Sequence, residues 1–460
     1  MTNKSKSWKA PPPIFFILLG LIIFGGTKLL KKNPQLRSNL LPSIAQPQLL
    51  EKSFSLGEHL LITANATDKK QEGINAFANQ DYQGAIALFQ ASLEQFPNDP
   101  ETLIYLNNAQ VATSNPVKIA VVAPISSDLN LAQEMLRGVA QAQDKFNSQG
   151  GNLQVEIVND QNKPEIATKV ANELVKDTSI LALVGHYSSD ATLAAAPVYQ
   201  QNGLVAISPI STSVSLAEAG DYIFRTVPSD LFAGTSLAEY FLEKLTKQKA
   251  AIFYNSESNY SKSLKDAFST SLLSNGGEIV AELDVGDSHF NADKAVQQAM
   301  NQGAEALILL TNSTTLKQTF EIAKVNDRQL PLLAGDDIYI PETLENAGEN
   351  VTDMVLAVPW HIEGNTNPDF IQATNSLWKG KVNWRTAMAY DATQSLIAGI
   401  KANSSRQGIQ QTLSQAGFSV TGASGVVKFL PSGDRNQAVQ LVKVEVAPNS
   451  EFGYSFVPVD

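Results

Sequence analysis

Hydrophobic and polar positions run in blocks along this chain, and the character of the blocks changes twice. Residues 14–26 carry no charge, and counting through Leu30 the first apolar block holds 17 residues with one lysine, Lys28. That is the short end of what spans a bilayer, with Lys28 able to reach the interface along its stem. Lys4, Lys6, Lys9 and three prolines precede the block and no small-residue cleavage site follows, so it reads as an uncleaved signal anchor. The polar, proline-dotted stretch from residue 33 has no period and reads as a linker up to about residue 68. From 71 to 110 apolar positions recur at helical spacing: Ile74, Phe77 and Ala78, then Ala85, Leu88, Phe89 and Leu93, then Leu103, Leu106 and Ala109. Asp81 marks the first turn, and Pro97 with Pro100 ends the second helix.

From Val117 the rhythm becomes strand and helix in alternation. VKIAVVAPI, LQVEIVND, ILALVG, GLVAISP, AAIFYN, GEIVAEL, ALILLT, LPLLAG and DMVLAVPW are short apolar runs, most of them separated by amphipathic stretches. This order predicts an α/β protein of parallel sheets with helices on both faces. About 330 residues lie in this region, more than one doubly wound domain needs, so two lobes are expected. Ligands of open α/β sheets sit beyond the carboxyl ends of the strands, where loops enter helix N-termini.

Those strand ends share a chemistry. Ser126 follows the first run, Ser188 and Ser189 follow ALVG, Ser211 and Thr212 follow VAISP, Tyr260 follows AIFYN, Asn312 follows ILLT, and Asp336 with Asp337 follows LLAG. Hydroxyls and free backbone N–H groups at helix starts favour an anion such as a carboxylate, and Asp337 suits an ammonium. Together they match an α-amino acid or similar zwitterion. The competing explanation at each place is a helix cap, the commonest use of these residues.

Composition removes other classes. Hydrophobic residues are 43% and charged residues 17%, enough for sizeable cores. A net charge of −11 argues against nucleic acid as a partner. With no cysteine there is no thiol chemistry, disulfide or lipid-bearing cysteine anchor. His59, His186, His289 and His361 are scattered without metal-ligand spacing, and no GxSxG or GxxxxGK[ST] occurs, so neither metal, cofactor nor catalytic residue is expected. His186 reads as a structural hydrogen-bonder, since no acid is placed beside it in sequence. Asp336 and Asp337, as loop neighbours, are expected to point apart.

Two resemblances follow from these residues. The segment 71–110 resembles one tetratricopeptide unit and the first helix of another, with Gly73, Tyr82, Ala85, Phe89 and Pro97 in the usual places. So few units cannot bury their own face, which leaves docking on the following domain or on a protein partner both open. Beyond it, VVAPISSDLNLAQEMLRGVAQAQDKFNSQGG, VNDQNKPEIATKVANELVKD, VGHYSSDATLAAAPVYQQNGLVAISP, YIFRTVPSD, AMAYDATQSLIAGI and GVVKFLPSGDRN occur in the order of the leucine/isoleucine/valine-binding protein family, the type I periplasmic solute-binding proteins of amino-acid ABC transporters. The resemblance implies two lobes closing on a ligand, with crossovers near residues 226–229, 358–361 and 429–431. With the segments read above, the chain divides into a tail and anchor at 1–32, a linker at 33–68, tetratricopeptide-like helices at 69–113 and a binding domain at 114–460. Lobe 1 would hold about 117–227 and 360–428, and lobe 2 about 229–357 and 430–446. By position, Ser189 matches the serine that binds the ligand carboxylate, Ser211 and Thr212 the pair that offers a carbonyl and a hydroxyl, Asp337 the acidic ammonium partner, and Tyr260 the tyrosine from the second lobe. Leu131 and Asn312 stand where the family often has aromatics, which implies a more polar, less enclosed side-chain pocket. The expected setting is a single-pass inner-membrane protein whose binding domain faces the periplasm or exterior and serves an ABC permease. A sensory ectodomain or an interaction scaffold on the same fold are the alternatives.

Overall fold

The structure, a computed structural model, describes residues 52–364 and 367–459. The apolar block at 14–30 and the linker up to residue 51 lie outside the described residues. Among the described residues no helix is long and apolar enough to cross a membrane.

The first sheet contains β2 (Val117–Ala123), β3 (Leu153–Asn159), β4 (Ile180–Val184), β5 (Val205–Ser208) and β6 (Ile223–Arg225), with a two-residue strand β1 (Phe54–Ser55) at its edge. Its order is β1-β3-β2-β4-β5-β6, parallel throughout except for β1 against β3. The runs that read as strands are buried on both faces, with Val121, Val155, Leu183 and Ile207 fully inaccessible, which is why they show no alternation. Helices α4 (Leu129–Ser148), α5 (Pro164–Leu174) and α6 (Ser189–Asn202) cover it, joined later by α13 (Trp384–Ala402) and α14 (Arg406–Leu413). Close contact of α4 with α13 depends on Gly138, where a Cβ would sit 2.3 Å from the Thr386 carbonyl oxygen and 2.6 Å from the Tyr390 nitrogen.

The second sheet has β7 (Lys249–Tyr254), β8 (Glu278–Asp284), β9 (Ala306–Leu310), β10 (Leu332–Ala334), β11 (Val355–Val358), β14 (Gln440–Val446) and β15 (Tyr454–Pro458), in the order β15-β14-β11-β10-β9-β7-β8. The strands from β7 to β11 are parallel, but β14 and β15 pair antiparallel at one side. The sheets are therefore parallel-rich rather than all-parallel: β1 pairs antiparallel at the edge of the first, and in the second β14 runs against β11 while β15 returns on β14 by a short turn that needs no crossover helix. On this sheet pack α7 (Asp230–Glu239), α8 (Asn259–Ser274), α9 (Ala292–Asn301), α10 (Leu316–Asn326) and α11 (Pro341–Ala347); α12 (Pro368–Trp378) packs with the first lobe, as does the hairpin β12 (Val420–Gly422) and β13 (Gly425–Val427).

The chain passes between lobes after β6, after β11 and after β13. Two arginines tie these crossings together. Arg225 donates to Asp434 at 2.7 Å and to the Thr212 and Ser213 carbonyls, while Arg435 donates to the Thr226 carbonyl and to Asp391 at 2.9 Å.

Ahead of the first sheet stand α1 (Asp68–Ala78), α2 (Tyr82–Gln95) and α3 (Pro100–Val111), capped by Thr67, Asp81 and Asp99. They pack on the first lobe, α3 lying against α4 and β3. Asn108 fixes the seam: its amide donates to the Leu56 and Val155 carbonyls and its carbonyl accepts from the Val155 N–H, at 2.7, 2.8 and 2.8 Å. Lys70, wholly buried, lies 2.7 Å from both Asp99 and Glu101. Glu101 in turn accepts from the Leu61 and Ile62 N–H groups and the Tyr105 hydroxyl. The stretch read as linker up to 68 is therefore ordered from residue 54 onward, because Glu101 collects its backbone donors and Ile62 enters the core.

Candidate functional site

The first lobe supplies the serine-rich wall. Ser188 caps α6, its hydroxyl accepting from the Ala191 N–H at 3.2 Å, so Ser189 is the first helical residue. The Ser189 hydroxyl accepts from the Ser213 N–H at 3.2 Å. Ser211 donates to the Tyr187 carbonyl at 3.1 Å and shares a hydrogen bond with Thr192 at 2.7 Å, while Ser208 donates to the His186 carbonyl. These bonds stitch the loops after β4 and β5 into one surface. Beneath it the wholly buried His186 meets Asp160 through Nδ1 at 2.6 Å and the Tyr199 hydroxyl through Nε2 at 2.9 Å. The acid that orients this histidine comes from the end of β3, out of reach of any local pattern.

The second lobe answers with α8 and the loops after β9 and β10. Ser258 caps α8, and the Tyr260 hydroxyl donates to Asp336 at 2.7 Å. Gly335 permits that approach, since a Cβ there would meet the Tyr260 oxygen at 2.3 Å. Asn255 donates to the Asn312 side chain at 3.0 Å. Asp337 accepts from the Ser313 N–H at 2.7 Å.

Several contacts bridge the lobes. The Tyr187 hydroxyl donates to Asp337 at 2.8 Å, and Arg385, at the start of α13, reaches the same oxygen at 3.4 Å and the Tyr339 carbonyl at 3.0 Å. Asn259 donates to Asp190 at 2.6 Å, Asn130 to Glu342 at 2.9 Å, and the Val214 N–H to Ser263 at 2.9 Å. The cleft is closed.

Between the walls is a cavity of about 170 Å³. It holds the equivalent of a few water molecules, each of about 30 Å³, which suits a small metabolite. Ser188, Ser189, Ser211, Tyr260, Asn312 and Asp337 all line it. Thr212 and Ser126 do not. Thr212 is buried behind the wall, where its carbonyl holds Arg225 and the N–H of Asp230. Ser126 is exposed at the end of β2, hydrogen-bonded to Asn159. Asp336 and Asp337 both line the cavity, and their carboxylates reach different partners, Asp336 the Tyr260 hydroxyl and Asp337 the Tyr187 hydroxyl. Sequence reasoning missed Tyr187, Asp190, Asn162, Asn255, Glu257 and Trp384. Of these, Tyr187 and Asp190 flank the predicted serines, whereas Trp384 and Arg385 look like an ordinary helix start.

The electrostatics are lopsided. Asp190, Glu257, Asp336 and Asp337 line the cavity, and among the described residues no lysine or arginine does. Burial pushes the Asp336 carboxyl up to about 7, with the Tyr260 hydrogen bond working the other way and Asp337 and Asp230 adding repulsion. Asp230, at the start of α7, is also raised by burial, to about 6. The Arg385 guanidinium is held firmly charged: burial opposes it, but Tyr187, Asp337 and Asp336 more than compensate. Among the described residues no group of three histidines or acids is arranged to hold a metal ion.

The chain is similar to known binding proteins along this region. It is 31% identical over 199 residues to an amino acid binding protein of Pseudomonas aeruginosa, covering 42% of this chain and 52% of that one, so the match spans about half of that relative. It is 25% identical over 309 residues to the Leu/Ile/Val-binding protein of Escherichia coli, covering 65% of this chain and 82% of the relative. Among solved structures, a leucine binding protein of Thermotoga maritima superposes with a TM-score of 0.65 at 21% identity, covering 75% of this chain and 99% of that chain. A solute binding protein of Rhodopseudomonas palustris, in complex with 4-hydroxybenzoate, superposes at 0.66 with 17% identity, covering 75% and 96%. The family model for periplasmic binding proteins matches residues 116–449, more than half of the sequence, and the chain belongs to that family.

Proposed function

We propose that this is an extracytoplasmic solute-binding protein that closes its two lobes on a small amino acid for ABC-type uptake. The observation that carries the reading is the polarity of the cavity from wall to wall. On one side the first turn of α6 offers hydroxyls and helix-start N–H groups to a carboxylate; on the other, the acidic loop after β10 offers charge to an ammonium. Ser189 and Ser211 take the carboxylate end, and Tyr260 and Asn312 close over the ligand from the second lobe. Among the described lining residues only Ile210 and Trp384 are non-tyrosine apolar side chains, while Asn162, Asn255, Ser258 and Thr314 are polar. The ligand side chain is therefore small or polar rather than branched and aliphatic.

The relatives named for amino acids support this reading, and the apolar block at 14–30 supports a tether that keeps the binding domain outside the cytoplasm. Thermal-shift measurements with the twenty amino acids test the first claim: a shift with a small or polar member supports it, and no shift with any of them defeats it. Protease added to intact spheroplasts tests the second, since a domain protected until lysis is on the wrong side.

A further inference from the structure

A second cavity, of about 750 Å³, adjoins the loop that carries Asp336 and Asp337, and it shares no described lining residue with the first. Asp336 and Asp337 line one, Tyr339 and Ile340 line the other, so a single loop is the wall between them. Arg385 holds that wall, donating to the Tyr339 carbonyl at 3.0 Å and reaching Asp337 at 3.4 Å. Glu134 of α4 and the residues just before α13 bound the second cavity from the first lobe, while α11 and the turn between β14 and β15 bound it from the second. His361 and Ile362, at the crossover after β11, line it as well. Its shape therefore depends on how the lobes are set.

The size suits a small molecule, and the walls select its chemistry. Tyr339, Phe452, Tyr454 and Phe456 line the cavity, the rings of Tyr339 and Phe456 lying 4.3 Å apart. Aromatic faces attract a cation and bury an apolar body. The charged groups agree, since Glu134, Glu363 and Glu451 line the cavity against Lys381 alone. Glu134 is paired with Arg137 at 2.7 Å and Glu363 with Lys381 at 3.7 Å, whereas Glu451 is paired with no cation among the described residues. An anion would meet this carboxylate with nothing to offset it.

We infer that this cavity is a second binding site, for a small organic cation with an apolar body, of the arylalkylamine class, and that its occupant favours the closed form. Contacts made to both lobes at once fit one setting of the lobes, so such an occupant binds the closed form more tightly than the open one and shifts the balance towards it. By linkage, whatever closes the first cavity then tightens the second, and the reverse. The inference does not depend on which molecule the first cavity takes.

The test is calorimetric titration with phenethylamine and with phenethyl alcohol, its uncharged counterpart, on the parent, Phe452→Ala, Glu451→Gln and Asn312→Ala. Phenethylamine is expected to bind the parent saturably and more tightly than the alcohol. Phe452→Ala should weaken it by roughly tenfold and Glu451→Gln by roughly threefold. Glu451 is exposed, so its variant keeps the test open if Phe452→Ala fails to fold. Asn312→Ala alters the first cavity alone, leaves phenethylamine binding unchanged and so separates the two sites. X-ray scattering of the parent should show a smaller radius of gyration with phenethylamine than without it. No saturable binding up to about 10 mM, equal binding of the alcohol, or a loss in Asn312→Ala rather than in Glu451→Gln overturns the site. A radius that does not fall at saturation overturns the bias towards the closed form.

Discussion

Two clusters of buried charge sit in this molecule, and they differ in what they join. Lys70, Asp99 and Glu101 lock the N-terminal helices to the stretch that precedes them, all within one lobe's packing. Tyr187, Arg385 and Asp337 join one lobe to the other across a cleft that, on the proposed function, opens to admit ligand. In the first, every partner remains buried for as long as the protein is folded, so a broken pair can be relieved only by protonation or unfolding. In the second, opening the cleft lets water replace the lost partner. The same kind of interaction thus governs folding in one place and conformational balance in the other.

The largest expected effect comes from Lys70→Met, which strands two carboxylates in the core and should cost about 3–5 kcal/mol in urea denaturation. Burial, opposed by Lys70, already raises the Glu101 carboxyl. Without Lys70 it rises further. A carboxyl raised in the folded state is destabilising only above its unfolded value, so the defect should shrink as pH is lowered towards about 5. A defect independent of pH would mean that lost packing, not stranded charge, is responsible.

Arg385→Leu should cost less, about 2 kcal/mol on the scale of a charged hydrogen bond, because the cleft can open and hydrate Asp337. That corresponds to roughly thirtyfold in the ratio of open to closed forms, read as an increased radius of gyration. If the two variants destabilise equally and neither opens, the contrast between the clusters collapses. Tyr187→Phe removes one donor and keeps the ion pair, and should shift the same ratio by about 1.5 kcal/mol. Ser188→Ala is expected to lower stability by about 1 kcal/mol as a lost cap while leaving the open-to-closed ratio unchanged.

Much of this was legible in the sequence for a definite reason. Strands such as ILALV and ALILL announce themselves because both faces are buried, and the polar residues that follow them stand out against that background. Ser189, Ser211, Tyr260, Asn312 and Asp337 reach the cavity lining because each follows a strand end, where topology constrains a side chain's destination. Arg385 was not legible, because its role depends on how α13 is set against a loop of the other lobe. Asp160 escaped notice for the same reason, lying 26 residues before the histidine it orients. Thr212 and Ser126 meet the same sequence criterion and do not line the cavity, because a residue at a strand end can face the cleft, the sheet behind it or solvent. Lys70, on a helix read as a repeat, gave no sign of its burial.

The edges of the two sheets carry a consequence for behaviour in a crowded compartment. An open strand edge is a template on which a second copy can extend the sheet. On the first sheet, β3 is covered by the Asn108 side chain at Val155 and by Phe54 and Ser55, a strand too short and too quickly bent, by the Ser55 bonds to Gly57 and His59, to serve as a template in turn. On the second, the edge strand β8 carries charged side chains, Glu278 paired with Lys249 and Glu282 with Lys265, and charge on an edge strand discourages a further strand. The β3 edge is blocked by shape and side-chain hydrogen bonds, and the β8 edge by charged side chains. Loss of the short segment before α1 would therefore bare only the Ile157–Val158 end of β3, with Asn108 still holding Val155.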